Sequence, residues 1–147
     1  MRVLTGILIG LLASSGAALA DSSWKDSAVL QSAGLDGRWA LDCNRPAGKG
    51  NEYLVYLTPE NGVPTEQVLV DASDAPKLQL LDVRLLKNGD LQWVRAEGEV
   101  MINFVIQLKG NKMRTWSSAS SDGHAFISKA KSADGKAVPW FSKCETN

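Results

Sequence analysis

Two cysteines and one histidine in 147 residues are little for a metal to bind. A structural zinc site needs a full tetrahedral set of Cys, His or carboxylate ligands, and Cys43, Cys144 and His124 do not supply one. Asp71, Asp74 and Asp82 lack the spacing of a calcium loop. Gly48-Lys49-Gly50 lacks the rest of a phosphate loop and its strand-to-helix setting. The lone histidine also limits acid–base catalysis. Ser118, Ser120, Ser121 and Asp122 are its immediate neighbours, whereas a triad converges from separated positions around an oriented base. That run reads as a polar turn and the start of a strand. No cofactor is expected. Excess charge is missing too: 16 Lys+Arg stand against 16 Asp+Glu. A nucleic-acid or membrane-surface footprint would need a basic excess or stripe.

The one sustained hydrophobic run is at the start. Residues 1–20 have the form of a secretory signal: Arg2, an apolar stretch over 3–12 too short to span a bilayer, and the cleavage triplet Ala18-Leu19-Ala20. Position 21 is Asp, not the cysteine of a lipoprotein. Cleavage would leave 127 residues (147 minus 20), the length of one domain. The expected localisation is periplasmic or secreted, with no membrane span after cleavage. In such a compartment two cysteines read as one disulfide, Cys43 to Cys144.

Residues 21–36 form an N-terminal segment in which Asp26 or Ser27 would cap a short helix and Gly34 would end it. From 37 to 147 the period is that of strands. In 37–43, Trp39, Leu41 and Cys43 share one face and Arg38, Ala40 and Asp42 the other. Further strands are predicted over 52–58, 67–71, 78–86, 91–96, 100–108, 112–118, 124–129 and 137–141. Glycine-containing turns separate most of them, among them Asn88-Gly89-Asp90, Ser121-Asp122-Gly123 and Ala133-Asp134-Gly135. In 100–108, Val100, Ile102, Phe104, Ile106 and Leu108 point one way, as in a strand lining a barrel. The predicted fold is all-β: an antiparallel up-and-down meander of about eight strands closing into a barrel, with a two-sheet sandwich as the alternative. Closure removes the exposed edges of an open sheet and brings the cysteines near enough to join.

Gly37-Arg38-Trp39 at the head of the first strand, after a short helix, resembles the Gly-x-Trp of lipocalins and their calycin relatives. The resemblance implies an eight-stranded barrel closed at one end by Trp39, with a late arginine packed over it. Arg114 is the first candidate for that arginine and Arg95 the second. A secreted barrel with one end-to-end disulfide is also similar to periplasmic inhibitors of lysozymes and metalloproteases.

Trp39, Trp93, Trp116 and Trp140 fall on predicted strands, as core, barrel-end or pocket residues. Asp82, Arg84 and Arg95 are expected to point outward. One that pointed inward would need a partner or a polar ligand. The first functional expectation is a non-enzymatic binding protein holding a small apolar ligand in a lipocalin-like barrel. The alternative is a module that binds an envelope protein, such as an inhibitor of a lysozyme or protease, through loops 44–51 and 72–76. An interior cavity of about 300 Å³ or more favours the ligand; a packed interior with a protruding loop favours the partner.

Overall fold

The computed structural model describes residues 17–60, 62–71 and 75–145, with side chains from Lys25 onward. Residues 1–16, most of the expected signal, and 72–74, most of one expected loop, lie outside the described residues. One helix, α1 (Ala17–Ser32), precedes ten strands: β1 (Gly37–Ala40), β2 (Tyr53–Leu57), β3 (Thr65–Leu69), β4 (Leu78–Leu85), β5 (Leu91–Glu97), β6 (Val100–Lys109), β7 (Lys112–Ser120), β8 (Ala125–Ser128), β9 (Lys131–Ser132) and β10 (Phe141–Cys144).

Consecutive strands pair antiparallel from β1 to β9, and β10 pairs with both β1 and β7. β1 to β7 and β10 therefore close an eight-stranded antiparallel barrel, and the sandwich alternative falls away. β7 divides one edge between two neighbours. Lys112 and Met113 face β10, while Ser118 and Ala119 face β8. The β8–β9 hairpin is thereby left outside the ring.

The hairpin turns follow their sequences. Asn88 Oδ1 accepts the Asp90 amide at 3.1 Å, Gly89 N donates to Leu86 O at 2.9 Å, and Leu86 N to Asp90 O at 2.8 Å. Gly89 sits at φ 86°, which only glycine adopts without cost. The same pattern recurs at 120–124 and 132–136, with Asp122 and Asp134 in the place of Asn88.

The helix ends as Gly34 predicts. Gly34 lies at φ 74°, and Leu35 N donates to Leu30 O at 3.0 Å, the Schellman pattern with its apolar clasp. Leu30 and Leu35 are both fully buried. The expected start is corrected. α1 begins at Ala17, so Asp26 and Ser27 lie inside it. They tie it to the barrel instead of capping it. Ser27 Oγ donates to Gly62 O at 3.0 Å and Gln31 Nε2 to Thr58 O at 2.6 Å, both in the β2–β3 connection. Asp26 Oδ1 accepts the Val83 amide at 3.0 Å. That amide is free because β4 bulges there: the register shifts between Leu81 and Arg84, and Asp82 adopts φ 51°.

Under the helix, Trp39, Tyr56, Leu80, Leu91, Trp93, Ile106 and Met113 fill the barrel axis with Leu30 and Leu35. β1 is shorter than predicted. After Ala40 the chain turns outward, leaving Leu41 37 % exposed. The shared face of Trp39, Leu41 and Cys43 therefore does not form. The last strand is shifted relative to 137–141. β10 begins at Phe141, so Trp140 precedes it.

Cys43 and Cys144 are disulfide-bonded, with Cα atoms 5.4 Å apart and a sequence separation of 101. By chain entropy a loop of this length contributes about 4–5 kcal/mol. Replacing both cysteines with Ala is expected to lower Tm sharply in thermal denaturation; an unchanged Tm would remove the staple from the energetics. A second expectation concerns Asp26. Burial pushes its carboxyl up and Asp82 adds to this, against the Val83 and Asp82 amides and Arg84, which lower it. A carboxyl raised on folding stabilises the fold below its unfolded pKa, and that contribution is lost as pH rises through the folded pKa. Asp26→Asn keeps an acceptor for Val83 and carries no charge. Its Tm is expected to exceed wild type at neutral pH, with the difference vanishing in acid.

Candidate functional site

Connections of an up-and-down barrel alternate between its two ends. The helix is bound to the β2–β3 connection and covers that end. The opposite mouth is bounded by the β5–β6 turn and by β8. On β5, Leu91, Trp93, Arg95 and Glu97 follow one another at every second position. The first two are buried in the core, and the last two lead to the mouth. Across from them on β6 stand Ile106, Phe104, Ile102 and Val100. Ser118 and Ser120 of β7 stand opposite Phe104 and Ile102.

Arg95 is expected to point outward, and the structure corrects this. Its guanidinium lies against the interior aromatics, 4.4 Å from the Phe104 ring centroid. Nη1 donates to Glu66 Oε2 at 2.6 Å, and Nη2 pairs with Glu97. The other Glu66 oxygen accepts the Tyr56 hydroxyl at 2.9 Å. Tyr56 meets Trp93 edge to face at 5.8 Å, and Trp93 stacks with Phe104 at 6.4 Å. These contacts close a cycle: Tyr56, Glu66, Arg95, Phe104, Trp93 and back to Tyr56. Burial pushes the Tyr56 hydroxyl well above its usual pKa, and the Glu66 carboxylate adds to it. Tyr56 is thus held as a donor. For Arg95 burial works against the charge, but Glu66 and Glu97 outweigh it and hold the guanidinium above its ordinary value.

Two buried donors in this cycle have no hydrogen-bond partner among the described residues, Trp93 Nε1 and Arg95 Nε. A buried polar group left unpaired costs about 1–3 kcal/mol, and an acceptor would satisfy it. Beside Arg95 opens a pocket of about 350 Å³, lined also by Glu97, Ile102, Phe104 and Ser118 and by Phe126 and Ile127 of β8. It combines apolar and aromatic walls with a few polar groups, the usual make-up of a small-molecule site.

The residues singled out by sequence separate into three places. Trp39 closes the helix end. It is 1 % exposed, and its Nε1 donates to Leu35 O at 2.8 Å. The cation over its ring is Lys143, at 5.7 Å, and not the expected Arg114. Trp93 is core. Arg114, Trp116 and Trp140 stand on the outer wall, with the Arg114 guanidinium 4.4 Å from the Trp140 centroid and 5.7 Å from that of Trp116. The His124 ring lies 4.9 Å from that of Phe126, and Ser120 Oγ donates to Asp122 within the turn. Asp82 and Arg84 are exposed, as expected.

Sequence reasoning did not find Glu66, and it read Ser118 as part of a polar turn and strand start beside His124, whereas Ser118 lies buried within β7. Glu66 falls just before the predicted strand 67–71, whereas β3 begins at Thr65. In the structure it pairs opposite Tyr56, a rung that a strand beginning at 67 leaves out. The chain matches no known protein family, no curated protein and no solved structure.

Removing one partner of a buried ion pair costs about 3–5 kcal/mol. Arg95→Ala is expected to destabilise by that order, leaving the Glu66 carboxylate, 6 % exposed, without its cation. Glu66→Gln in the same chain should recover part of the loss in urea denaturation. Additive effects of the two substitutions would deny the coupling.

Proposed function

We propose that this chain is a non-enzymatic binding protein of the periplasm or extracellular space that holds a small, mainly apolar ligand at the open mouth of its barrel. One observation carries the reading: Arg95, an inward cation with an unpaired Nε, lies beside an apolar pocket of about 350 Å³. The ligand's apolar body rests on Phe104, Ile102 and Ile127, and an acceptor on it meets Arg95. The barrel axis is filled by the core, so the interior cavity expected for a lipocalin-like ligand is not present among the described residues. The packed interior counts toward the protein-binding alternative, and the proposed ligand occupies the open mouth. Barrel closure and the end-closing Trp39 support a calycin-like origin. The disulfide fits an extracytoplasmic chain, and no helix among the described residues is long and apolar enough to cross a membrane.

The protein-binding alternative has its own support in loop 44–51. Asn51 is 1 % exposed. Its Nδ2 donates to Asp42 O, Arg45 O and Pro46 O, and its Oδ1 accepts the Asp42 amide. The Tyr53 hydroxyl donates to Arg45 O at 2.7 Å. The loop is thus braced from within while Arg45 and Lys49 stay exposed, and a rigid loop loses little entropy on entering a partner's cleft.

Native mass spectrometry of protein purified from its own envelope separates the two readings. A retained small molecule that is lost on Ile102→Trp, which fills the pocket, is the expected result. A co-purifying protein lost on Asn51→Ala would favour the alternative, and a small molecule retained by Ile102→Trp would place the ligand elsewhere.

A further inference from the structure

The chain's charges cancel overall, yet on the outer wall three cations stand together. Gln107 and Lys109 of β6 face Arg114 and Lys112 of β7. These rungs lie on the outer face, since the neighbouring Ile106 and Met113 belong to the core. Lys109 and Lys112 are directly opposed across the turn at Gly110-Asn111. Like charges so placed destabilise a hairpin. Among the described residues no carboxylate pairs with Lys109, Lys112 or Arg114. Their neighbours are neutral or aromatic: Lys112 Nζ reaches Ser142 Oγ at 2.6 Å, Arg114 Nε donates to Gln107 Oε1 at 2.9 Å, and Lys109 Nζ lies 5.5 Å from the Trp140 centroid.

Trp116, Arg114, Trp140 and Lys109 thus form a ladder of alternating ring and cation. At its free end Lys109, Lys112 and Trp140 line a cleft of about 330 Å³. The indole and the lysine methylene stems make its wall apolar, and both lysines that line it are without a carboxylate partner among the described residues.

We propose that this cleft is a binding site for a phosphate monoester whose ester group is apolar. A phosphate brings close to two negative charges and three acceptor oxygens, enough to relieve the Lys109–Lys112 repulsion in one step. The apolar wall takes the group that carries it. A soluble phosphate ester and a phosphomonoester lipid headgroup share this chemistry.

The test is tryptophan fluorescence and isothermal titration with phenyl phosphate, inorganic phosphate, and vesicles of phosphatidylcholine with and without phosphatidic acid. Saturable, salt-sensitive binding of phenyl phosphate or of the phosphatidic acid vesicles is expected, and which one binds identifies the source. Lys109→Gln with Lys112→Gln should weaken it by about tenfold or more, and Tm should stay level or rise as the repulsion is removed. Trp140→Ala should also weaken it. Absence of binding to every probe, or binding that survives the double substitution, would overturn the proposal. Inorganic phosphate bound as tightly as the organic probes would overturn the role given to the apolar wall.

Discussion

Four residues, Phe141–Cys144, complete the ring by lying between β1 and β7. An antiparallel sheet without this strand would present two rows of unpaired amides and carbonyls, each open to another chain. With it, every barrel strand has two neighbours. The disulfide holds the same seam covalently, and Lys143 of β10 reaches over Trp39 to Gly34 O at 2.6 Å, joining the seam to the end of the helix. The mouth also depends on this arrangement. β10 takes only the first part of β7's edge, so the remainder accepts β8, whose Phe126 and Ile127 overhang the pocket.

The fold was legible where local chemistry decides it. The alternation from Val100 to Leu108, the Asn-Gly and Asp-Gly turns and the helix-ending Gly34 each carry their meaning within a few residues. Closure was legible because the cysteines are only two. Other features depend on partners distant in sequence. Hydrophobic alternation assigns a charged residue to the solvent face, and Arg95 reverses that rule only because Glu66, 29 positions away, neutralises it. The β4 bulge is stabilised by Asp26, 57 positions before Val83. Arg114 was misassigned for a related reason: a late arginine and an end-closing tryptophan suggest each other, but the register places Arg114 on the outer wall and brings Lys143 to Trp39.

The two candidate sites treat positive charge in opposite ways. Inside, a single cation is outnumbered by Glu66 and Glu97 and hydrogen-bonded to both, so its charge is spent within the protein and its unused Nε offers only direction. Outside, three cations stand without carboxylate partners among the described residues, and two of them, Lys109 and Arg114, lie against indole faces. A neutral acceptor on an apolar body suits the first, where a second anion would compete with the carboxylates already present. A full anion suits the second, where none is present. Cation–ring contacts are worth about 0.5–1 kcal/mol at exposed sites, so the ladder of Trp116, Arg114, Trp140 and Lys109 orders side chains that would otherwise sample many rotamers.

The seating of β10 also has a consequence in time. Its partner β1 lies about a hundred residues upstream, as the disulfide spacing of 101 shows, while β2 to β7 need only local hairpins to form. Loop-closure entropy makes such a distant pairing slow relative to its neighbours. A chain in which this pairing had not formed would keep the meander as an open sheet, with the edges of β1 and β7 free. Short strands are the poorest templates for a foreign chain, and β1 has only four residues. The brevity that leaves Leu41 exposed in the finished barrel thus makes the β1 edge a poor template for a foreign strand whenever β10 is not in place.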